Sequence, residues 1–191
     1  VMDRADIPRE MKWHFGSIDW GYRAPGVFQV WGVDGESNLY RVVEVYRTQK
    51  PYEWWAEVIE KYHRKFNLAA IACDPAEPRS IDMLNDRLGE PSKRKTERLA
   101  RKADNDIMAG LDMVRWALRP RKGTQPRMVF VSDALKEGRD PSLAEEMNPC
   151  CTEEEVPGFV WLKQADGKAI KEMPDPSCPD HGLDAARYAA M

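Results

Sequence analysis

The 191-residue chain carries 29 Lys plus Arg against 32 Asp plus Glu, a formal charge of −3, and 42% apolar residues, enough for one globular domain with its own core. That balance excludes a disordered tail, a mini-protein and a protein that coats nucleic acid through bulk electrostatics. No apolar run approaches the ~20 residues of a membrane span, and residues 1–9 lack the apolar stretch of a secretory signal, so a soluble, intracellular protein is expected.

Residues 15–21, 26–32 and 39–46 alternate β-branched and aromatic side chains with others, which predicts three strands; Asp34-Gly35 supplies the tight connection between the second and third. An antiparallel meander follows. After Pro51, the apolar residues Trp55, Val58, Ile59, Tyr62 and Phe66 recur at three- and four-residue intervals and predict a helix packed on one sheet face. Residues 68–73 form a continuously apolar run, the pattern of a strand covered on both faces, and lead straight into Asp74-Pro75. Pro75 cannot extend a ladder, so Asp74 falls at the strand's carboxyl end.

A short helix is expected over 79–88. A long amphipathic helix follows, marked by Ile107, Leu111, Val114 and Leu118, with Arg115 and Arg119 on its polar side. Residues 128–132 read as a strand and 133–157 as polar loop with a short helix near 142–147. Residues 159–162 and 169–172 read as a hairpin around Asp166-Gly167, and 180–190 as the final helix. No internal repeat or low-complexity linker interrupts the chain, so residues 1–191 are expected to form a single domain. The cysteines, Cys73, Cys150, Cys151 and Cys178, show no C-x-x-C spacing, and only His181 lies near one of them, so they read as reduced thiols rather than a zinc site.

The net charge conceals an asymmetry. Residues 87–127 hold twelve Lys or Arg and five Asp or Glu, so this stretch carries +7 and the remainder −10. A solvated, ion-paired helix face is the plain reading of such a run. The density at Lys93, Arg94, Lys95, Arg98, Arg101 and Lys102, with Glu97 the one acid among them, favours a phosphate-binding element.

The order strand, strand, strand, helix, strand, helix is that of the α/β ribonuclease-H-like fold, a central mixed sheet in which an antiparallel three-strand meander is joined by parallel strands and helices flank both faces. In that fold the strand after the first helix pairs beside the first strand. Asp19 would then lie next to Asp74 although 54 residues stand between them, at the carboxyl ends where α/β sheets place their sites. Asp184, near the start of the last helix, is the candidate third member.

Each acid also has a plain structural reading. Asp19 fits a solvent-facing edge position, Asp74 a turn before proline, and Asp184 a helix-dipole partner ion-paired with Arg187. Asp180 reads as the N-cap of the last helix, and His181 as a helix-start residue, partly exposed or bonded to a neighbour. Most of the tryptophans read as core: Trp54, Trp55 and Trp116 lie in or beside helical stripes and Trp31 in a strand, while Trp20 points to the sheet face opposite Asp19. Convergence of three carboxylates is another matter, because they repel one another unless cations neutralise them; such a cluster suits hard divalent ions such as Mg²⁺ or Mn²⁺, and two of them together serve phosphodiester hydrolysis.

Three segments, Ser17-Ile-Asp-Trp-Gly21, Ala72-Cys-Asp-Pro-Ala76 and Asp180-His-Gly-Leu-Asp-Ala-Ala-Arg-Tyr188, together resemble the C-terminal nuclease domain of the large terminase subunit of tailed bacteriophages, in an order that covers nearly the whole chain. The resemblance implies a two-metal-dependent endonuclease that cuts concatemeric double-stranded viral DNA into packaged genomes, using Mg²⁺ or Mn²⁺. Asp19 would bridge the two ions while Asp74 and Asp184 would each hold one. Lys93, Arg94, Lys95, Arg98, Arg101 and Lys102 would touch DNA phosphates from a segment that is mobile without DNA. The implied partners are double-stranded DNA, the terminase ATPase domain, the portal and the small terminase subunit, with no membrane, in the host cytoplasm during virus assembly.

No G-x-x-x-x-G-K-[ST] occurs, and Arg121-Lys-Gly-Thr124 does not satisfy it, so the ATPase motor is expected to be absent from this chain and residues 1–12 to be a remnant of the interdomain linker. The residues alone also admit a junction-resolvase or transposase-like nuclease of the same fold, and a non-catalytic module that docks DNA or protein.

Overall fold

The computed structural model describes residues 1–89, 98–163 and 169–191, with backbone only for 169–173. Three strands, β1 (Trp13–Asp19), β2 (Gly26–Val33) and β3 (Leu39–Arg47), form the expected meander. Helix α1 (Tyr52–Phe66) crosses back over the sheet and ends at Asn67, whose φ of 50° turns the chain out of the helix. Strand β4 (Ile71–Cys73) then pairs in parallel with β1, Gly16 opposite Ile71 and Ile18 opposite Cys73. It is shorter than the apolar run predicts. Leu68 is buried, and the backbone bonds from Ala69 to His14 and from Gly16 to Ala70 approach β1 before the ladder begins.

Helix α2 (Pro78–Arg87) follows, and then β5 (Ala100–Lys102), which pairs in parallel with β4 on its outer side. Residues 100–102, expected within a basic loop, are thus an edge strand. Leu99 and Ala100 are buried, and Asn85 on α2 holds Ala100 through both its backbone groups. Lys93, Arg94 and Lys95 lie outside the described residues. Helix α3 (Ile107–Leu118), β6 (Met128–Phe130), α4 (Pro141–Glu145), α5 (Thr152–Glu155), the hairpin strands β7 (Trp161–Lys163) and β8 (Ala169–Pro174), and α6 (His181–Ala190) complete the chain. The sheet order is β5-β4-β1-β2-β3-β6, with β6 parallel to β3. Residues Met2 and Arg4 lie along the β6 edge through backbone bonds to Phe130 and Ser132 and the Arg4–Asp133 ion pair.

Strand alternation divides the core between two faces. Ile18, Phe28 and Val30 face α1 and α2, where Trp55, Ile59, Tyr62, Ile81 and Leu84 are buried against them. Phe15, Trp31, Val33 and Phe130 face α3 and α6, packing on Val114, Ala117 and Ala186. Trp31 and Trp55 are core residues as expected, whereas Trp116 is half-exposed on α3. Its ring carries the Arg127 guanidinium instead, because the buried stripe of that helix runs through Leu111, Val114 and Ala117. All four cysteines are free. Among the described residues no helix is long and apolar enough to cross a membrane.

Gly182, in the first turn of α6, sits where a Cβ would strike the Thr152 hydroxyl and approach the Thr152 Cα to 2.9 Å. Gly182→Ala is therefore expected to destabilise the fold by about 1–3 kcal/mol through overpacking, read as a lower urea midpoint; an unchanged midpoint would show that α5 can yield.

Candidate metal centre

The parallel register that pairs Ile18 with Cys73 sets the next residues, Asp19 and Asp74, side by side at the carboxyl ends of β1 and β4. The Asp74 N–H donates to the Ile18 carbonyl at 2.9 Å, and Pro75 ends the ladder there. Asp74 Oδ1 accepts from the Ala76 N–H at 2.9 Å and from the Tyr188 hydroxyl at 3.5 Å. Helix α6 crosses the same corner on the opposite face from α1, bringing Asp184 and His181 over the end of β1.

Asp19 is the buried centre of this group. Its carboxyl rises from an ordinary 3.8 to about 6, chiefly because burial disfavours the charge; Asp184 and Asp74 add repulsion, and the His181 hydrogen bond offsets part of it. His181 Nδ1 lies 3.0 Å from Asp19 Oδ2. Burial lowers the imidazole pKa, but the bond to Asp19 and the surrounding acids outweigh it and raise it overall. Asp180 is raised by burial and then by the Asp184 charge. Arg187 Nε donates to Asp184 Oδ1 at 3.1 Å, as the helical spacing predicts, and its Nη2 reaches Asn105 Oδ1 at 3.1 Å. The structure thus brings Asp19, Asp74 and Asp184 to one corner.

Sequence reasoning missed Glu155. Its carboxylate accepts from the Gly182 and Leu183 N–H groups, both at 2.9 Å, and from the Tyr46 hydroxyl at 2.7 Å. Burial pushes it up to about 7, with the three donors opposing the rise. It caps α6 from a distant segment, while Asp180 occupies the N-cap position and makes no side-chain capping bond. Asp180 thus stands at the N-cap as the sequence reads it, and the capping bonds come from Glu155. The acidic run 153–155 gave no local signal for this role, since the acceptor and the helix end it serves lie 27 positions apart.

Among the described residues, one set of three acidic, His or Cys side chains brings its ligand atoms within 4.8 Å of one another: Glu44, Cys151 and Glu153. This set already holds its cation, because the buried Arg41 guanidinium bonds Glu44 at 2.9 Å and also Glu153. Asp19, Asp74 and Asp184 are spread more widely, and the charges of the other two both act on Asp19. Of the expected phosphate-binding residues, Arg98 is ion-paired with Asp82 at 2.9 Å, and Arg101 and Lys102 are exposed on the edge strand β5.

No family profile and no curated protein matches the sequence. The fold is that of terminase nuclease domains, a ribonuclease-H-like mixed sheet between helices. The large terminase from the thermophilic bacteriophage D6E superposes with TM-score 0.70 and 22% identity, over 96% of this chain and 41% of that one. The P22 large terminase nuclease domain gives TM-score 0.53 and 14% identity, over 100% and 85% of the two chains. The large terminase nuclease from the thermophilic phage G20c gives 0.51 and 11%, over 98% and 83%. This chain spans about two fifths of the length of the D6E terminase. At these identities the likeness is one of fold.

The raised pKa of Asp19 has a definite sign. Below about pH 4 the group is protonated folded or unfolded; as pH rises through about 6 the folded state must bury a charge, and stability is lost. Asp19→Asn retains an acceptor for His181 and is expected to stabilise the metal-free protein at pH 8 by on the order of 2 kcal/mol. The gain should vanish near pH 4 in urea titrations at the two pH values; an equal gain at both would dismiss the buried charge as its source.

Proposed function

We propose that this chain is the nuclease domain of a large terminase subunit, a two-metal-dependent DNA endonuclease that hydrolyses phosphodiester bonds of concatemeric double-stranded DNA. The observation that carries the reading is the meeting of Asp19, Asp74 and Asp184 at the carboxyl ends of two adjacent parallel strands. The donor set fits hard divalent ions: three carboxylates, no thiolate, and a central acid whose charge is opposed by burial and by its neighbours. Asp19 would bridge two Mg²⁺ or Mn²⁺ ions, with Asp74 and Asp184 each holding one. When bound, such a pair supplies an activated water and charge neutralisation for in-line displacement at phosphorus.

The protein's own groups prepare that site. His181 fixes the Asp19 carboxylate through Nδ1, Arg187 orients Asp184, and the Tyr188 hydroxyl and Ala76 N–H orient Asp74. Glu155 holds the first turn of α6, so that His181 and Asp184 keep their station. Arg101 and Lys102, on the edge strand next to β4, would meet DNA phosphates beside the acids. Duplex DNA, the terminase ATPase domain, the portal and the small terminase subunit are the partners this reading assigns.

Supercoiled plasmid incubated with the protein and Mn²⁺ or Mg²⁺ is expected to be nicked, and Asp19→Ala, Asp74→Ala and Asp184→Ala should each reduce nicking by at least about a thousandfold, as loss of a metal ligand does in such chemistry. Full activity in any one variant would remove that residue from the mechanism. Replacing Arg101 and Lys102 with Glu should weaken duplex binding and make log K fall less steeply with log salt, by about 0.9 for each phosphate no longer neutralised. An unchanged slope would assign the β5 edge to something other than DNA.

A further inference from the structure

Helix α4 closes in a left-handed turn. The Asn148 N–H donates to the Leu143 carbonyl at 2.8 Å and the Met147 N–H to the Ala144 carbonyl at 3.2 Å, with Met147 at a φ of 57°. Glycine is the residue this position favours, because a side chain there crowds the backbone. The chain places Met147 there instead, 92% exposed, the most exposed large apolar residue among those described. A lone apolar side chain on the surface calls for no explanation, but one held out by an unfavourable backbone does. Glu145 and Glu146 precede it, both exposed, and residues 140–155 hold six acids and no Lys or Arg. Asp140, at the start of α4, bonds the Thr48 N–H just past the end of β3, which puts this knob at that end of the sheet. At the start of β3 the surface has the opposite character. A notch of about 240 Å³ opens there against α3, walled by Leu39, Met113, Trp116, Ala117 and Ala190. Arg127 lines it over the half-exposed Trp116 ring, and Arg121 bonds Asn38 beside it at 2.9 Å. Residues 113–132 hold five Lys or Arg and no acid; Glu36 and Asp112 adjoin the notch along the chain, and the cations outnumber them.

We infer that Met147 of one copy of this chain inserts into the notch of a second copy, with Glu145 and Glu146 meeting the cations around it. Methionine suits the task, since its flexible thioether fills irregular gaps and packs favourably on an aromatic ring, here that of Trp116. Charge selects the same pairing, an acidic knob for a basic rim. Knob and notch lie at opposite ends of the nine-residue β3, so one molecule cannot join them to itself and the contact is head to tail. Each added copy leaves a free knob at one end and a free notch at the other, so assembly continues past a dimer into a ring or a row. A contact centred on one side chain is small and weak, and exposed charges at its edge make it sensitive to salt. Duplex DNA is the competing occupant of the basic rim, but it gives neither the apolar notch nor Met147 a role.

Sedimentation velocity of the protein at rising concentration, in low and in high salt, tests this. The weight-average mass is expected to climb past twice that of the monomer and to fall back in high salt. Met147→Gly should weaken association at least about fivefold, the loss typical of an interface anchor. It should also melt no lower than the parent, because glycine suits the φ of 57°. Trp116→Glu should weaken association as much from the side of the notch. Met147→Gly keeps a notch and Trp116→Glu keeps a knob, so an equimolar mixture of the two is expected to form a one-to-one complex and to grow no further.

A monomer at every concentration, a dimer that closes on itself, or undiminished association of Met147→Gly would overturn the inference. Association that appears only when duplex DNA is added would assign the basic rim to nucleic acid and overturn it also. None of these outcomes bears on the nuclease reading, because the sedimentation experiment involves neither metal nor cleavage.

Discussion

The parallel ladder between β1 and β4 is the constraint on which the candidate site depends. Three register pairs are enough to set residues 19 and 74 side by side. Neither acid would choose that neighbour. Their repulsion, together with the burial of Asp19, opposes folding, and the apolar cores on the two sheet faces must outweigh it. Helix α6 adds a third carboxylate to the same corner, and its own placement comes from packing: Ala185 and Ala186 are fully buried against the strands, and small residues there let the helix lie close to the sheet. Backbone geometry and shape thus assemble a charge arrangement that electrostatics alone would disperse.

The domain contains two acidic groupings, and they differ in how their charge is met. Glu44 and Glu153 enclose the guanidinium of Arg41, with Gln29 and Thr152 taking up the remaining hydrogen bonds of Glu44. That grouping is internally neutralised and joins α5 to the centre of the sheet. At the β1–β4 corner the partners stand to the side: His181 bonds Asp19 and Arg187 pairs with Asp184, while Asp74 is met by a hydroxyl and a backbone N–H. Compactness by itself would therefore select the grouping whose charge is already met by Arg41. What distinguishes the corner is that, among the described residues, no guanidinium stands between Asp19 and Asp74, and that it opens at the strand ends.

Much of this is legible in the sequence because local patterns coincide with tertiary ones. Period-two alternation locates the meander, and the apolar stripe of α1 and the Asp74-Pro75 stop fix the connection that makes β4 parallel to β1. Other features are opaque for identifiable reasons. Strand β5 is three residues long, and two of them are Arg101 and Lys102; its edge position satisfies the backbone without demanding apolar side chains, so its composition is that of a loop. Glu155 caps a helix end far along the chain, and nothing in Thr-Glu-Glu-Glu announces which of the acids will turn inward. Trp116 follows the apolar rhythm of α3 but lies on the flank of the buried stripe, where an arginine covers it. His181 reads from sequence as either partly exposed or bonded, and it is both.

The Arg187 side chain has a mechanical meaning. One edge of its rigid, planar guanidinium grips Asp184 and another grips Asn105, in the short connection that runs from the basic edge strand into α3. Gly110 makes this possible, since a Cβ there would collide with the aliphatic stem of Arg187. Arg187 thereby ties the connection between β5 and α3 to the Asp184 carboxylate.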